Sequence, residues 1–445
     1  MCAIVGIINS KNAAKTAYYA LFAMQHRGQE ASGISASDNG QITTFKKLGL
    51  VTEVFDEESF KLLKGDMAIG HNRYSTAGNA SFDDAQPIAA NYSLGSISLV
   101  HNGNLVNKDE TREALINEGA IFQSNMDTEN ILHLIARSNS QSLKERIIEA
   151  IKKIVGAYCL LIQSRHKIFA IRDRYGVRPL SLGRLKDGGY IVASETCAFD
   201  LVGAKFIRDV KAGEMIIFEN GKDEFESIQL FEPEPRICAF EYIYFARPDS
   251  VIEGKSVYEA RKRMGAALAK KSKIKADFVV PVPDSGVPAA LGFANESKIP
   301  FELAIVRNHY VGRTFIEPSQ ETRDLKVKLK LNPMSSVLEG KSIVVVDDSI
   351  VRGTTSKKVV ELLRAAGAKE VHFKAACPEL KYPERYGIDT PSFEELISAN
   401  KNVEEVRKFI GADSLEFLGI DELVTSLGDE RRYSLVSFDG DYFIK

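Results

Sequence analysis

The chain has 445 residues, 44% of them hydrophobic and 27% charged, which predicts a globular protein of two or three domains. A net charge of -2 leaves no cationic excess for a phosphate backbone, so nucleic acid is excluded as an expected partner. No apolar run is long enough to span a membrane, and IVGII behind Met1 is too short for a signal peptide.

MCAIVGII reads as a buried strand with a thiol, Cys2, directly behind Met1. By position alone this thiol is more readily packing than chemistry. AAKTAYYALFAMQH has helical periodicity. MAIGHNRY carries Arg73 at the end of a strand, where its planar fork can hold a carboxylate in two hydrogen bonds. GSISLVHNG ends with Asn102 and Gly103, an amide and a backbone N–H side by side, suited to a developing oxyanion. The missing side chain on Gly103 lets substrate approach. SNMDTE supplies Asp127 as a partner for an ammonium group, ahead of a helical stretch that runs to Lys153. Each has an ordinary reading alone: an ion pair for Arg73, a hairpin turn for Asn-Gly, a helix cap for Asp127. Together they describe an amidase for a free amino-acid amide, and glutamine fits. A Cys–His enzyme using His26, His71 or His101 is the rival that spacing leaves open, although an α-amine with a pKa of roughly 8 needs no histidine.

GAYCLLIQS and KIFAIRD are further strands, and FEPEPR (Phe231 to Arg236) is a linker. Strands and helices cluster before it, which predicts an α+β domain over residues 1–235. Regular strand–helix alternation follows, which predicts an α/β domain with a mostly parallel sheet and a helical tail over residues 236–445. IVVVDDSIVRGTTS puts Asp347 and Asp348 at the carboxyl end of a buried strand, where open α/β sheets bind ligands. Gly353 allows a tight turn, and Thr354, Thr355 and Ser356 open a helix whose hydroxyls and N–H groups form an anion cradle. Acids beside such a cradle suit a sugar phosphate, gripping vicinal hydroxyls or Mg²⁺. Neither Gly254-Lys255-Ser256 nor Gly340-Lys341-Ser342 completes a P-loop. The five cysteines, Cys2, Cys159, Cys197, Cys238 and Cys377, are scattered without zinc spacing, so a reducing, cytoplasmic setting is expected.

IVVVDDSIVRGTTS resembles the signature of the type I phosphoribosyltransferases, and PVPDSG (Pro281 to Gly286) resembles their pyrophosphate loop. The resemblance implies that 5-phosphoribosyl 1-pyrophosphate is held by Asp347, Asp348, Ser349 and Gly353 through Ser356. It also implies Mg²⁺ near Ser285, Asp347 and Asp348, and a lid from Arg307 to Asn332 carrying Arg307, Arg313 and the alternate cations Lys326, Lys328 and Lys330. MCAIVGI, MQHRGQEASGI, HNRYST, HNGNL and SNMDTE resemble the glutaminase domain of the class II amidotransferases. That resemblance implies an N-terminal-nucleophile hydrolase fold of four layers, αββα. Cys2 is then the nucleophile with its own α-amine as base, Asn102 and Gly103 form the oxyanion hole, and Arg27, Arg73 and Asp127 bind glutamine.

Glutaminase followed by phosphoribosyltransferase, with FEYIYFARPDS and YGIDTPSFEELI, resembles the amidophosphoribosyltransferase family. The family implies internal ammonia transfer to the ribose, the first committed step of de novo purine synthesis. It further implies feedback inhibition by purine nucleotides and a homo-oligomer, commonly a tetramer. Some members carry a [4Fe–4S] cluster and a propeptide; only Cys238 here resembles a cluster ligand, so no iron–sulfur cluster and no propeptide beyond Met1 are expected. The alternatives are a non-catalytic sensor of the phosphoribosyl donor and a different class II amidotransferase.

Overall fold

Every position of the strand Ala3–Ile8 is buried, and a strand covered on both faces has to lie between two layers. The computed structural model, which describes residues 1–74, 81–308, 331–388, 390–428 and 433–444, places it so. Ala3–Ile8 is the fourth strand of a seven-stranded antiparallel sheet, between Tyr190–Ala193 and Met67–Arg73. Its side chains divide with a period of two. Val5 and Ile7 pack under the helices Ala13–Ala23 and Cys197–Val202, whereas Ile4 and Ile8 meet Val100, Cys159 and Leu161 of a second sheet. That second sheet has six antiparallel strands, and the helices Asp127–Arg137 and Leu143–Ile151 cover its outer face. The result is helix, sheet, sheet, helix, the four-layer N-terminal-nucleophile arrangement.

The outer helix Ala13–Ala23 buries Ala13, Ala14, Ala17, Ala20 and Leu21, the three-to-four-residue spacing of one helical face. Small side chains there let the helix lie close to the sheet and to the nucleophile strand.

In the second half, Phe278–Pro281, Ser342–Asp347, Glu370–Ala375 and Ser414–Phe417 form a parallel sheet. Val344 and Val346 face the helices Val257–Lys271 and Val287–Ser297, and Ile343 and Val345 face Thr354–Ala365 and Val403–Ile410. The first helix pair crosses backbone on backbone. A Cβ on Gly265 would fall 1.8 Å from the Ala289 carbonyl oxygen, so only glycine permits the approach. The loops after Pro281 and Asp347 leave the sheet at the same edge, where ligands of parallel α/β sheets bind.

The halves share one core, in which Met1, Ala157 and Val177 pack with Tyr242 and Tyr386. Among the described residues no helix is long and apolar enough to cross a membrane.

Candidate active site

Cys2 stands just ahead of the Ala3–Asn72 pairing, so its neighbours are the far ends of adjacent strands. Its backbone nitrogen donates to Asn102 Oδ1 at 3.0 Å, and its Sγ lies 3.8 Å from the Tyr74 carbonyl oxygen. That bond fixes the Asn102 amide with its oxygen toward Cys2, and among the described residues Nδ2 is buried without a partner. An unpaired buried donor costs about 1–3 kcal/mol, so a site with this arrangement can take an acceptor here. Gly103 follows at φ +153, and a Cβ there would sit 2.0 Å from the Ala157 carbonyl oxygen.

Asp127 opens its helix two strand positions away, accepting from Leu105 N–H at 2.9 Å and facing His101 Nδ1 at 3.3 Å. Burial alone would raise its pKa, but His101 and the Leu105 N–H outweigh burial and hold the carboxyl below the ordinary range. Arg73, the last residue of its strand, donates to the Asp84 carbonyl oxygen at 3.0 Å and reaches Asp84 Oδ2 at 3.4 Å. Asp84 Oδ1 in turn accepts from Asn125 N–H at 3.1 Å. This carboxylate, which sequence reasoning missed, ties the guanidinium to the loop leading into Asp127.

The three histidines are occupied elsewhere. His26 Nε2 faces Glu195 at 2.8 Å, and His71 Nε2 faces the His101 carbonyl at 3.2 Å. Burial lowers His71 to about 3, so it stays neutral. No described histidine nitrogen bonds Cys2.

Arg27 differs from the expectation that it grips glutamine. Its guanidinium is wholly buried, and its five N–H groups all have partners. Nε donates to the Cys2 carbonyl oxygen at 3.0 Å, Nη1 to Glu195 at 2.6 Å and Glu241 at 2.9 Å, and Nη2 to Glu241 at 2.9 Å and toward Met1 Sδ at 3.8 Å. A fork shared between two buried carboxylates has no face left for a substrate carboxylate. Its place is under the nucleophile rather than beside the substrate.

At the parallel sheet, Asp347 and Asp348 are adjacent and buried. Asp347 Oδ1 accepts from Asp348 N–H at 2.9 Å, and Asp348 accepts from Ser349 Oγ at 2.5 Å and from Ser285. Burial raises both carboxyl pKa values, and for Asp347 the Asp348 charge adds to the effect. Among the described residues neither carboxylate has an ion-pair partner. Gly353 caps Thr354–Ala365 at φ +75, where a side chain would run into Ile397 at 2.7 Å. Thr354 and Thr355 face outward at the positive end of that helix, and Ser356 is buried. Arg307 ends the strand Ile305–Arg307 and pairs with Asp284 of the Pro281–Gly286 loop. Arg313, Lys326, Lys328 and Lys330 lie outside the described residues.

All five cysteines are free. Burial raises Cys238 to about 11 and Cys159 to about 12, as expected of inert core thiols. Among the described residues no three His, Cys, Asp or Glu side chains gather around a possible metal position.

Residues 71–200 match the glutamine amidotransferase domain and residues 254–404 the phosphoribosyl transferase domain. A chloroplastic amidophosphoribosyltransferase of Glycine max is 49% identical over 99% of this chain and 78% of its own length. The Bacillus subtilis amidophosphoribosyltransferase is 46% identical over 99% of this chain and 94% of its own. The solved B. subtilis glutamine phosphoribosylpyrophosphate amidotransferase, complexed with ADP and GMP, superposes with a TM-score of 0.94 at 44% identity, covering 100% of this chain and 98% of that one.

Proposed function

The chain belongs to the amidophosphoribosyltransferase family, and from that premise we propose how its residues divide the reaction between two sites. The enzyme takes L-glutamine and 5-phosphoribosyl 1-pyrophosphate to 5-phosphoribosylamine, glutamate and pyrophosphate, the first committed step of de novo purine synthesis. Residues 1–235 are the glutaminase and residues 236–445 the phosphoribosyltransferase.

Cys2, freed of Met1, attacks the side-chain carbonyl of glutamine. Its proton passes to its own α-amine and from there to the departing ammonia, leaving a thioester that water hydrolyses to glutamate. One fact supports the amine as base: its nitrogen lies against Asn102 Oδ1 at 3.0 Å, fixed beside the thiol of the same residue. An α-amine has a reference pKa of roughly 8 and is a suitable base near neutral pH. Asn102 Nδ2 and the Gly103 N–H receive the oxyanion, Arg73 holds the glutamine carboxylate, and Asp127 its ammonium. Arg27 serves by fixing the Cys2 carbonyl.

The released ammonia travels inside the protein and displaces pyrophosphate at the ribose C1. Asp347 and Asp348 hold the ribose hydroxyls, Ser349 and Gly353 through Ser356 the 5-phosphate, and Arg307 and Arg313 the pyrophosphate. Two buried carboxylates without an ion-pair partner among the described residues, with the Ser285 hydroxyl on Asp348, are an oxygen donor set that fits Mg²⁺. Ser285, Asp347 and Asp348 would hold it, and when bound it neutralises charge on the leaving pyrophosphate. The described residues offer no comparable thiolate set for an iron–sulfur cluster. Purine nucleotides inhibit the enzyme, and the chain works as a homo-oligomer, a tetramer; its free cysteines suit a reducing cytoplasm.

The observation that carries this reading is the buried Asn102 Nδ2 beside Cys2, which has no partner among the described residues. The test is release of pyrophosphate from the phosphoribosyl donor with Mg²⁺. Cys2→Ser abolishes the glutamine-dependent rate and leaves the ammonia-dependent rate. Loss of both rates in a folded variant would contradict the two-site division.

A further inference from the structure

Gly103 lies near the end of the strand Gly95–Leu105, opposite Tyr158 of the adjacent strand, and at φ +153 it has no side chain of its own to anchor its peptide. Preorganised donors are what make an oxyanion hole effective, and a displacement of about 1 Å can cost on the order of 100-fold in rate.

A turn from the second half adds a hold from outside the sheet. On one side Gly103 meets Ala157 of the adjacent strand. On the other it meets Gly387, which is buried at φ +110, and a Cβ on Gly387 would lie 3.0 Å from both Cα and C of Gly103. The next residue is tied as well, since Asn104 Nδ2 donates to the Arg385 carbonyl oxygen at 2.8 Å. Glu384 fixes the turn itself. Its Oε2 accepts from Tyr386 N–H at 2.8 Å and Ile388 N–H at 2.7 Å, and its Oε1 accepts from Arg178 of the first half at 2.8 Å. Arg178 also donates to the Tyr386 carbonyl oxygen at 2.7 Å from Nη2. The turn is therefore wound around one buried carboxylate and bolted to the first half next to the strand it braces.

We propose that Glu384 and Gly387 are positioning residues of the glutaminase, holding the Gly103 peptide as an oxyanion donor although both lie in the phosphoribosyltransferase half. The inference rests on the reading of Asn102 and Gly103 given above. In this arrangement the first half contains the nucleophile, the substrate grip and the Asn102 donor, and the second half completes the setting of the Gly103 donor.

The experiment uses the full chain with Gly387→Ala and Glu384→Gln. Four quantities are measured: kcat and KM with glutamine, the ammonia-dependent rate, and alkylation of Cys2 by iodoacetamide. The expected result for Gly387→Ala is a fall of about tenfold or more in the glutamine kcat, with glutamine KM, ammonia rate and Cys2 alkylation unchanged. Glu384→Gln shows the same pattern to a smaller degree, because its amide oxygen still accepts a backbone N–H; it carries the test if the alanine variant does not fold. An unchanged glutamine kcat, or a parallel fall with both nitrogen sources, overturns the proposal. Asn102→Ala in the same assay separates the two layers. If glutamine turnover survives it, the oxyanion reading itself fails; if turnover is lost there but kept in the Gly387 and Glu384 variants, only the positioning role fails.

Discussion

In the mechanism proposed above, Asn102 does two things with one amide, and substitutions can take them apart. Asn102→Ala removes the Nδ2 donor and also the Oδ1 acceptor that holds Cys2 N at 3.0 Å. Loss of one oxyanion donor lowers kcat by about 10²–10³, or about 2.7–4 kcal/mol. Loss of the Cys2 hydrogen bond adds about 0.5–1.5 kcal/mol. Asn102→Asp keeps the acceptor but replaces the donor with an anion where negative charge develops. At about 4 Å and an effective dielectric near 20, that repulsion is about 4 kcal/mol on top of the lost donor. The aspartate variant is therefore slower than the alanine variant, despite being closer in shape. Stability moves little in Asn102→Ala, because the lost Cys2 bond is offset by relief of a buried donor that has no partner. The assay is steady-state pyrophosphate release with glutamine and, separately, with ammonia. The expected result is a fall in glutamine kcat with KM nearly constant and the ammonia rate intact. A raised KM at constant kcat would mean that Asn102 binds the ground state, and an aspartate variant faster than alanine would refute the charge argument.

Three further outcomes are expected. Asp347 and Asp348 have raised pKa values, so the folded chain binds their protons more tightly than the unfolded chain. Their contribution to stability is fully present below the ordinary carboxylate range and is lost as pH rises through the folded values. Asp347→Asn should therefore raise Tm near neutral pH but not at about pH 4, while abolishing product from either nitrogen source; a lower Tm at neutral pH would refute this. Arg27→Met breaks buried pairs with Glu195 and Glu241 and should lower Tm by on the order of 10 °C. Arg27→Lys should not restore it, since one ammonium cannot span both carboxylates and the Cys2 carbonyl; a Tm equal to the parent's in calorimetry would contradict the buried network. Mass spectrometry of active enzyme should find Cys2 at the amino terminus, and an intact Met1 on protein that turns over glutamine would rule out the free amine as base.

What the sequence made legible was what lies close together in the chain. IVVVDDSIVRGTTS contains its own strand, turn and helix start, so the cradle was readable without knowing the rest of the fold. Arg73 was readable as a strand end for the same reason, whereas the strand that holds Asn102 and Gly103 runs on to Leu105. Arg27 was misassigned because its carboxylate partners lie 168 and 214 residues away, and no local spacing carries that pairing. Glu241 in FEYIYF and Glu195 in ASETC do leave a trace, each a lone carboxylate in a buried setting that must be paired. The sequence does not say with what. Gly387 left less still, because a glycine before isoleucine reads as a turn and its contact with Gly103 exists only once the halves dock.

The burial of position one bears on the order of events as the protein is made. Met1 is 1% exposed, and its sulfur rests on Arg178 at 2.8 Å, beneath residues that come from the far end of the chain. The peptide bond ahead of Cys2 is thus enclosed by segments synthesised hundreds of residues later. A trimming peptidase has access to that bond only in the interval before the late segments arrive. On the mechanism proposed above, a molecule that closed untrimmed would keep its phosphoribosyl site and lack the free amine that the glutaminase needs.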